Sequence, residues 1–136
     1  MNRSDFLKIE EETSENIRRN EEERRKTIEH YRLKAIEDIP QKIAHCINEI
    51  NKELKKVAES CEKIYYKENV NIFIEYLHSA QKDTVISAIN EYLKTSGFKE
   101  YNVLYKKRTI NINYDDCNDT SYEIEGLSIY INPWRA

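Results

Sequence analysis

Glycine and proline are scarce in this sequence, with two residues of each among 136. This scarcity excludes a collagen-like chain, a disordered chain rich in glycine and proline, and a glycine-rich loop that binds phosphate. Long apolar runs are absent as well, since no stretch approaches the roughly 20 apolar residues that a transmembrane helix needs. No apolar stretch follows Met1–Asp5, so we expect no secretory signal. We therefore expect a cytoplasmic protein without a membrane partner.

Neither sign of charge is in large excess, because 22 basic residues stand against 25 acidic ones and the net charge is −3. A dedicated nucleic-acid binder shows a basic excess, and a protein that mimics a polyanion would need a much larger acidic excess. Cysteine is also scarce, and Cys46, Cys61 and Cys117 form an odd, widely spaced set. Such a set indicates reduced thiols rather than a disulfide framework.

The first 38 residues predict a charged helical arm. Ser4 is a candidate N-cap, and Phe6, Ile9 and Ile17 follow it at helical spacing. No strong hydrophobe lies between Ile17 and Ile28, but three glutamates followed by three cations provide opposite charges at i,i+3 and i,i+4. Two interpretations stay open, a solvated helix held by ion pairs and a docking arm that becomes ordered on a partner.

A second helix follows Asp38 and Pro40. Proline is accepted in a first helical turn and breaks a helix interior, so we expect either one kinked helix or two helices that meet near 38–41. Over 41–65 the apolar residues follow a heptad repeat. This heptad seam is expected to pack against the arm, against the sheet, or against a second copy to give a homodimer. Its candidate self-association or partner residues are Ile43, Ile47, Ile50, Leu54, Val57 and Ile64, with Cys61 in the same row.

The pattern then changes to the two-residue alternation of a β-strand over 69–76. The apolar face of this strand comprises Val70, Ile72, Ile74 and Tyr76. A third helix is predicted to open at Ser79 or Asp83. Gly97 followed by Phe98 predicts that this helix ends in a Schellman motif.

Two further apolar sets have opposite parity along the chain. Tyr101, Val103 and Tyr105 occupy odd positions, whereas Ile110, Ile112 and Tyr114 occupy even ones. No Gly, Asn or Asp stands at 106–108 to form a tight turn, so we expect one long strand with a bulge there. A polar loop is predicted over 115–126, with Tyr122 and Ile124 as candidates for a brief strand pairing within it. A last strand is predicted to run from Leu127 through Ile131.

Together these patterns predict an α+β protein. Long N-terminal helices, about 4–38 and 41–65, precede the order β-α-β-β, which forms a small, mostly antiparallel sheet covered by helices. The expected domains are a charged helical arm, 1–38, and an α+β domain, 39–136, which includes the helix 41–65. A domain of this size buries enough surface to fold without a metal ion or a disulfide.

No catalytic residue, metal site or cofactor is predicted. Cys46 and Cys61 are far apart on one helix, by more than about 20 Å, so a single zinc ion cannot bind both. No G-x-S-x-G or H-E-x-x-H motif occurs. The acidic neighbours of Cys117 make this thiol a poor nucleophile. We therefore expect a protein without enzymatic activity.

Two charged segments are candidate contact surfaces. The acidic one fits a solvated loop, an acidic contact surface or a cation site, and it comprises Asp115, Asp116, Asp119 and Glu123. The basic one is a candidate nucleic-acid contact, because bases stack on strand aromatics flanked by cations. Its cations are Lys99, Lys106, Lys107 and Arg108. The interleaved Tyr101 and Tyr105 also alternate like a buried face, so a core role for these tyrosines stays open.

Eighteen Ile, fourteen Lys, thirteen Asn and ten Tyr form an unusual mix. Codons rich in A and T encode all four, which indicates a low-GC genome. The segment Asp83–Trp134 comprises a helix ending at Ser96-Gly97-Phe98, a tyrosine-bearing strand, a polar loop and a short strand near a tryptophan. In this layout it resembles the C-terminal half of small phage and prophage accessory proteins of low-GC bacteria. The resemblance rests on layout and transfers no functional residue.

These observations predict a protein–protein interaction module that acts by binding and occlusion. The resemblance implies a more specific form, a phage-encoded inhibitor of a host or defence protein. Two alternatives stay open. One is a nucleic-acid-associated accessory protein that uses the basic strand 99–108, and the other is a small hydrolase-type enzyme.

Overall fold

The computed structural model describes residues 1–60, 67–114 and 118–136, and at 113, 114, 118 and 119 it describes the backbone only. The chain divides into two compact units, Met1–Lys34 and Ala35–Ala136. The α+β class is confirmed, with β-α-β-β after two long helices. In chain order the elements are α1 (Arg3–Glu37), α2 (Ile39–Glu59), β1 (Val70–Glu75), α3 (Lys82–Thr95), β2 (Glu100–Tyr114) and β3 (Asn118–Asn132).

The first unit begins with a capping box at Asn2, not at the predicted Ser4. The side-chain oxygen of Asn2 accepts a hydrogen bond from the Asp5 N–H at 2.8 Å. The Asp5 carboxylate in turn accepts one from the Asn2 N–H at 3.4 Å. This reciprocal pair satisfies two backbone donors that a helix start leaves free, so α1 begins at Arg3 and includes Ser4.

Every residue of Met1–Lys34 is exposed. Ion pairs between residues three apart lie on the helix surface, with Glu15–Arg18 at 2.6 Å and Glu29–Arg32 at 2.7 Å. Such pairs stabilise a helix that has no core beneath it. The exposed apolar side chains of this unit include Phe6, Ile9, Ile17, Ile28, Tyr31 and Leu33. The helix is confirmed, while a solvated arm and a docking arm both stay predictions.

Two helices meet at Asp38, which is one of the two alternatives that the sequence left open for 38–41. α1 ends at Glu37 and α2 begins at Ile39, with Pro40 in its first turn. Asp38 occupies the N-cap position of α2, but its side chain makes no capping hydrogen bond.

The heptad seam of α2 packs inside its own unit. Ile50 and Val57 are buried in the core that α2 forms with α3 and the sheet, and Ile43, Ile47 and Leu54 pack against that core. A side chain as buried as Ile50, which is 0% exposed, is not available to a second copy. Packing on the sheet is thus the alternative observed for these five residues. α2 ends at Glu59, and Cys61 and Ile64 lie outside the described residues.

The three strands form one antiparallel sheet in the order β1-β3-β2. β2 and β3 pair along their full length, from Glu100↔Asn132 to Tyr114↔Asn118, which is about 50 Å of strand. β1 pairs only with residues 126–131 of β3. Beyond that point, the described residues of β2 and β3 continue as a two-stranded ribbon.

The inner face of the sheet is the one that α2 and α3 cover. In the three-stranded part of the sheet, strand alternation assigns nine side chains to this face, and all nine belong to or pack against the hydrophobic core. They are Val70, Ile72 and Ile74 of β1, Tyr101, Val103 and Tyr105 of β2, and Leu127, Ile129 and Ile131 of β3.

The bulge predicted at 106–108 is wrong. Pairing with β3 advances one residue for one residue from Lys106↔Gly126 to Arg108↔Ile124. The change of parity has a different cause, because the two apolar sets of β2 lie on opposite faces of an unbroken strand. Val103 faces the helices, whereas Ile110 is on the other side, which we call the outer face.

The polar loop predicted over 115–126 is wrong for most of its length, since β3 begins at Asn118. Polar residues such as Ser121 and Glu123 alternate with Tyr122 and Ile124. Each pairs with a residue of β2, so cross-strand hydrogen bonding keeps the stretch extended without an inner core. Residues 115–117 lie outside the described residues.

Alternation predicted that Tyr76 continues the inner face of β1, and this prediction is wrong. The φ of Tyr76 is +64°, and this left-handed conformation inserts one extra residue between Glu75 and the next contact with β3. That contact is the Leu77 N–H, which donates to the Glu125 carbonyl at 3.0 Å. The insertion resembles a β-bulge. It leaves Tyr76 71% exposed and turns Leu77, which is 1% exposed, into the core.

Hydrogen bonds define both ends of α3, and the sequence predicted the C-terminal end but not the N-terminal one. The Phe98 N–H donates to Leu93 C=O and the Gly97 N–H to Lys94 C=O, both at 3.1 Å, which confirms the Schellman motif at Gly97 (φ +92°). At the other end the N-cap is Gln81, so the predicted start of the helix at Ser79 or Asp83 is wrong. The buried Gln81 side chain instead donates to Ala35 C=O at 2.7 Å.

Gly126 stands where the backbone of β3 meets the ring of Phe73. A Cβ atom at Gly126 would lie 2.4 Å from the Phe73 ring and 2.6 Å from the Ile74 carbonyl oxygen. Both distances are far shorter than a van der Waals contact, and the carbonyl belongs to a paired strand that cannot move freely. Only glycine therefore fits at this position of the central strand.

We expect Gly126→Ala to lower the free energy of unfolding by about 1–3 kcal/mol, the usual cost of overpacking a well-packed site. Urea denaturation measures this change. Ser128→Ala, two residues away on the same face of β3, is the matched control and should change stability by no more than about 0.5 kcal/mol. Equal stability of the two variants would contradict the steric role assigned to Gly126.

Candidate functional site

The outer face of the sheet carries apolar and aromatic side chains that neither α2 nor α3 covers. Strand alternation places on this face Phe73 of β1, Leu104, Arg108, Ile110 and Ile112 of β2, and Tyr122, Ile124 and Tyr130 of β3. Leu104 is 45% exposed and Tyr122 is 43% exposed. Apolar side chains that a soluble domain leaves exposed together are typical of interaction surfaces.

Phe73, Gly126 and Arg108 form a stack at the centre of this face. The Phe73 ring lies against the backbone of Gly126, and the Arg108 guanidinium lies 4.5 Å from the centroid of the ring. A guanidinium at this distance is attracted to the face of the ring. The stack therefore holds a cation and an aromatic ring side by side on an exposed surface.

A groove of about 440 Å³ lies next to this stack, where β1 has ended and β3 continues. Tyr76 and Tyr122 line it from two sides, and the buried Ile124 contributes to its wall. Aromatic and arginine side chains beside buried apolar ones are the residues that most often dominate the free energy of protein–protein binding. We call Phe73, Tyr76, Arg108, Tyr122 and Ile124 the aromatic surface.

The backbone of Tyr76 is strained. A left-handed conformation costs a residue other than glycine on the order of 1–2 kcal/mol, and Tyr76 keeps it while its side chain is largely in solvent. The exposed ring therefore gains little packing energy in return. Strained residues of this kind concentrate at functional sites.

The basic residues predicted to contact nucleic acid do not form one patch. Lys99 precedes β2, Lys106 and Arg108 lie on the outer face, and Lys107 lies on the opposite side, 3.6 Å from Glu125. Tyr101 and Tyr105 are half-buried against the core on the inner face. Alternation of the strand thus separates the tyrosines from two of the cations that are their neighbours in sequence.

The acidic set predicted as a contact surface is only partly within the described residues. Glu123 is exposed on β3 and pairs with Thr109 across the ribbon. Asp119 is described as a backbone position of β3, opposite Asn113. Asp115 and Asp116 lie outside the described residues.

Cys46 is the buried thiol of the core, with 0% exposure. Burial raises its pKa from 9.0 to about 11, and the nearby Lys42 ammonium opposes this rise only in part. A thiol that stays protonated reacts slowly as a nucleophile. Across the part of the chain that the structure describes, no three His, Cys, Asp or Glu residues come together as a metal site would require.

The aromatic surface was not found from the sequence. One signal was available, because a lone glycine within an alternating strand indicates a close approach to another group, and Gly126 marks the Phe73 ring. The positive φ of Tyr76 has no sequence signal, since the turn-forming residues Gly, Asn and Asp are missing there.

Comparison with protein-family models, with curated proteins and with solved structures finds no significant match. None of the described helices is long and apolar enough to cross a membrane. The arrangement of the site is therefore interpreted from its own chemistry.

We expect the Cys46 thiol to make stability decrease as the pH rises from 9 to 11. The unfolded thiol ionises near pH 9.0 and the folded one near 11, so the unfolded chain loses its proton first and is favoured in this range. The stabilising contribution is complete below pH 9. Urea denaturation at pH 8 and pH 10 measures the loss, and Cys46→Ala is the control that should lose less. Equal losses in the two proteins would contradict the assignment.

Proposed function

We propose that this protein is a protein–protein interaction module whose aromatic surface binds a partner and occludes part of it. The observation that carries the proposal is Tyr76, which keeps a strained backbone and a 71% exposed ring next to Tyr122 and the same groove. A strained residue whose side chain makes little contact within its own unit is best explained by a contact with another molecule.

The composition of the aromatic surface supports the same proposal. Tyrosine, phenylalanine and arginine are enriched at interface centres, because their large side chains bury much area with few rotatable bonds or form several hydrogen bonds. Ile124 provides an apolar floor, and Arg108 is already oriented by the Phe73 ring. Pre-ordered side chains lose less entropy when a partner binds.

A phage-encoded inhibitor of a host or defence protein is the specific form of this function that we propose. The support for it is the composition typical of a low-GC genome and two features of the resembled layout, the helix that ends at Gly97 and the tyrosine-bearing strand. The polar loop and the short last strand of that layout lend no support, because β3 begins at Asn118. A cytoplasmic location belongs to the proposal as well.

We expect Tyr76→Gly to lower partner affinity at least tenfold, which corresponds to about 1.4 kcal/mol, without lowering the melting temperature. Glycine relieves the left-handed strain, and this gain offsets the roughly 0.5–1 kcal/mol that its greater freedom in the unfolded chain costs. Loss of binding without loss of stability separates a functional tyrosine from a structural one.

The tagged full-length chain is incubated with nuclease-treated lysate of a low-GC bacterium, and bound proteins are quantified by mass spectrometry. Thr109→Ala, on the opposite side of the ribbon, is the matched control and should capture the same protein as the unmodified chain. Sedimentation velocity identifies a second copy as the partner. Equal capture by Tyr76→Gly, or bound material only when nuclease is omitted, would refute the proposal.

A further inference from the structure

A second surface lies at the free edge of β1. β1 is an edge strand, with β3 on one side and no strand on the other within the described residues. The Ile74 carbonyl is directed at β3, close to Gly126, whereas the Glu75 carbonyl accepts a hydrogen bond from the Lys42 ammonium at 2.9 Å. Since successive peptide groups alternate in direction, Asn71 and Phe73 present their N–H and C=O groups to the free edge.

A groove of about 630 Å³ runs along this edge. Its first wall is the six-residue segment 71–76, and its second wall is formed by His45, Glu49 and Glu53 of α2. These three residues are one helical turn apart, so α2 follows the edge for two turns. The groove is therefore long, open and bounded on one side by unpaired backbone groups, which are the features that a strand-adding peptide requires.

The charge of the groove is acidic. Glu49 and Glu75 have no ion-pair partner among the described residues, and Glu53 is 3.2 Å from Lys56. Glu49 and Glu53 are separated by about 6 Å along the helix axis. Alternate residues of an extended strand are separated by about 6.6 Å, so two side chains on one face of an added strand match the two carboxylates.

We propose that the free edge of β1 binds an extended peptide segment with basic side chains at alternate positions. Backbone hydrogen bonds to Asn71 and Phe73 provide affinity, and the basic side chains pair with Glu49 and Glu53. A second copy of this chain fits less well, because pairing of two β1 edges brings the acidic residues of both copies into one groove. This inference goes beyond the proposed function, since it concerns the backbone edge of β1 and the acidic wall of α2. The ring of Tyr76 lines this groove as well as the groove beside Tyr122, so the variants below leave Tyr76 unchanged.

The test uses a fluorescein-labelled peptide of four Lys-Val repeats, capped at both ends, and measures fluorescence anisotropy with the full-length protein. We expect the peptide to bind at least tenfold more tightly than a Glu-Val peptide of equal length. Its affinity should fall with salt, since the charges are near the surface. A Lys-Val peptide methylated at alternate backbone nitrogens keeps its charge but loses hydrogen-bond donors, and it should bind at least tenfold more weakly.

Two changes in the protein locate the site. Asn71→Pro removes one outward N–H without breaking the pairing of β1 with β3, and the double change Glu49→Lys/Glu53→Lys reverses the charge of the helix wall. Each should weaken binding at least tenfold while the melting temperature shows that the protein is folded. Glu10→Lys/Glu11→Lys, an equal change of charge in the exposed part of α1, is the matched control and should retain the affinity.

Several results would overturn the proposal. Absence of binding by the Lys-Val peptide would do so, as would equal binding of the methylated peptide, which would reduce the interaction to charge attraction. Equal losses in the Glu10/Glu11 and Glu49/Glu53 variants would show that no single site is involved. A dimer in sedimentation velocity that Asn71→Pro converts to a monomer would assign the edge to a second copy instead. Asn71→Pro and Glu49→Lys/Glu53→Lys change no residue of the aromatic surface. Their effect on peptide binding is therefore independent of the test of Tyr76.

Discussion

The fifteen-residue pairing of β2 with β3 sets the positions of the other parts of the α+β unit. Because its register is uninterrupted, the parity of each residue decides its face along the whole ribbon. One end of the ribbon directs apolar residues such as Val103 and Ile129 toward the helices. The other end directs Ile110 and Tyr122 to the outer face. A single bulge would have moved the second set to the inner side of the ribbon.

The position of β1 at the edge of the sheet and its short length shape the two proposed surfaces. β1 stops at Glu75, where Tyr76 inserts an extra residue and Leu77 turns into the core. The part of β3 that extends beyond this point contributes Tyr122 and Ile124 to the aromatic surface. On its other side β1 has no partner strand in the described part of the chain, and α2 bounds the groove there. Among the described residues, Lys42 hydrogen-bonds to the backbone of this edge, and an edge strand with unpaired backbone groups is open to strand addition.

Burial within the unit limits which of the sequence patterns are available for binding. The heptad seam has the strongest periodicity in the chain, yet Ile50 and Val57 pack against the sheet. A regular apolar stripe on a helix packs against a sheet as well as against a second helix, since each contact requires only a continuous row of hydrophobic side chains. The exposed surfaces instead have irregular patterns, because they combine residues from β1, β2 and β3 that are distant in sequence.

The sequence by itself determined the α+β class, the three helices, the stop at Gly97 and the apolar alternation of Val70, Ile72 and Ile74 in β1 and of Leu127, Ile129 and Ile131 in β3. These depend on local periodicity and capping, which act over a few residues. Tertiary structure decided the length of β3, the exposure of Tyr76 and the separation of Lys107 from Arg108 on opposite faces. The reason is that polar residues such as Ser121 and Glu123 have no intrinsic tendency to form a strand. These residues form part of β3 because they hydrogen-bond to β2. The hydrogen bonds depend on a strand register that no local sequence pattern specifies.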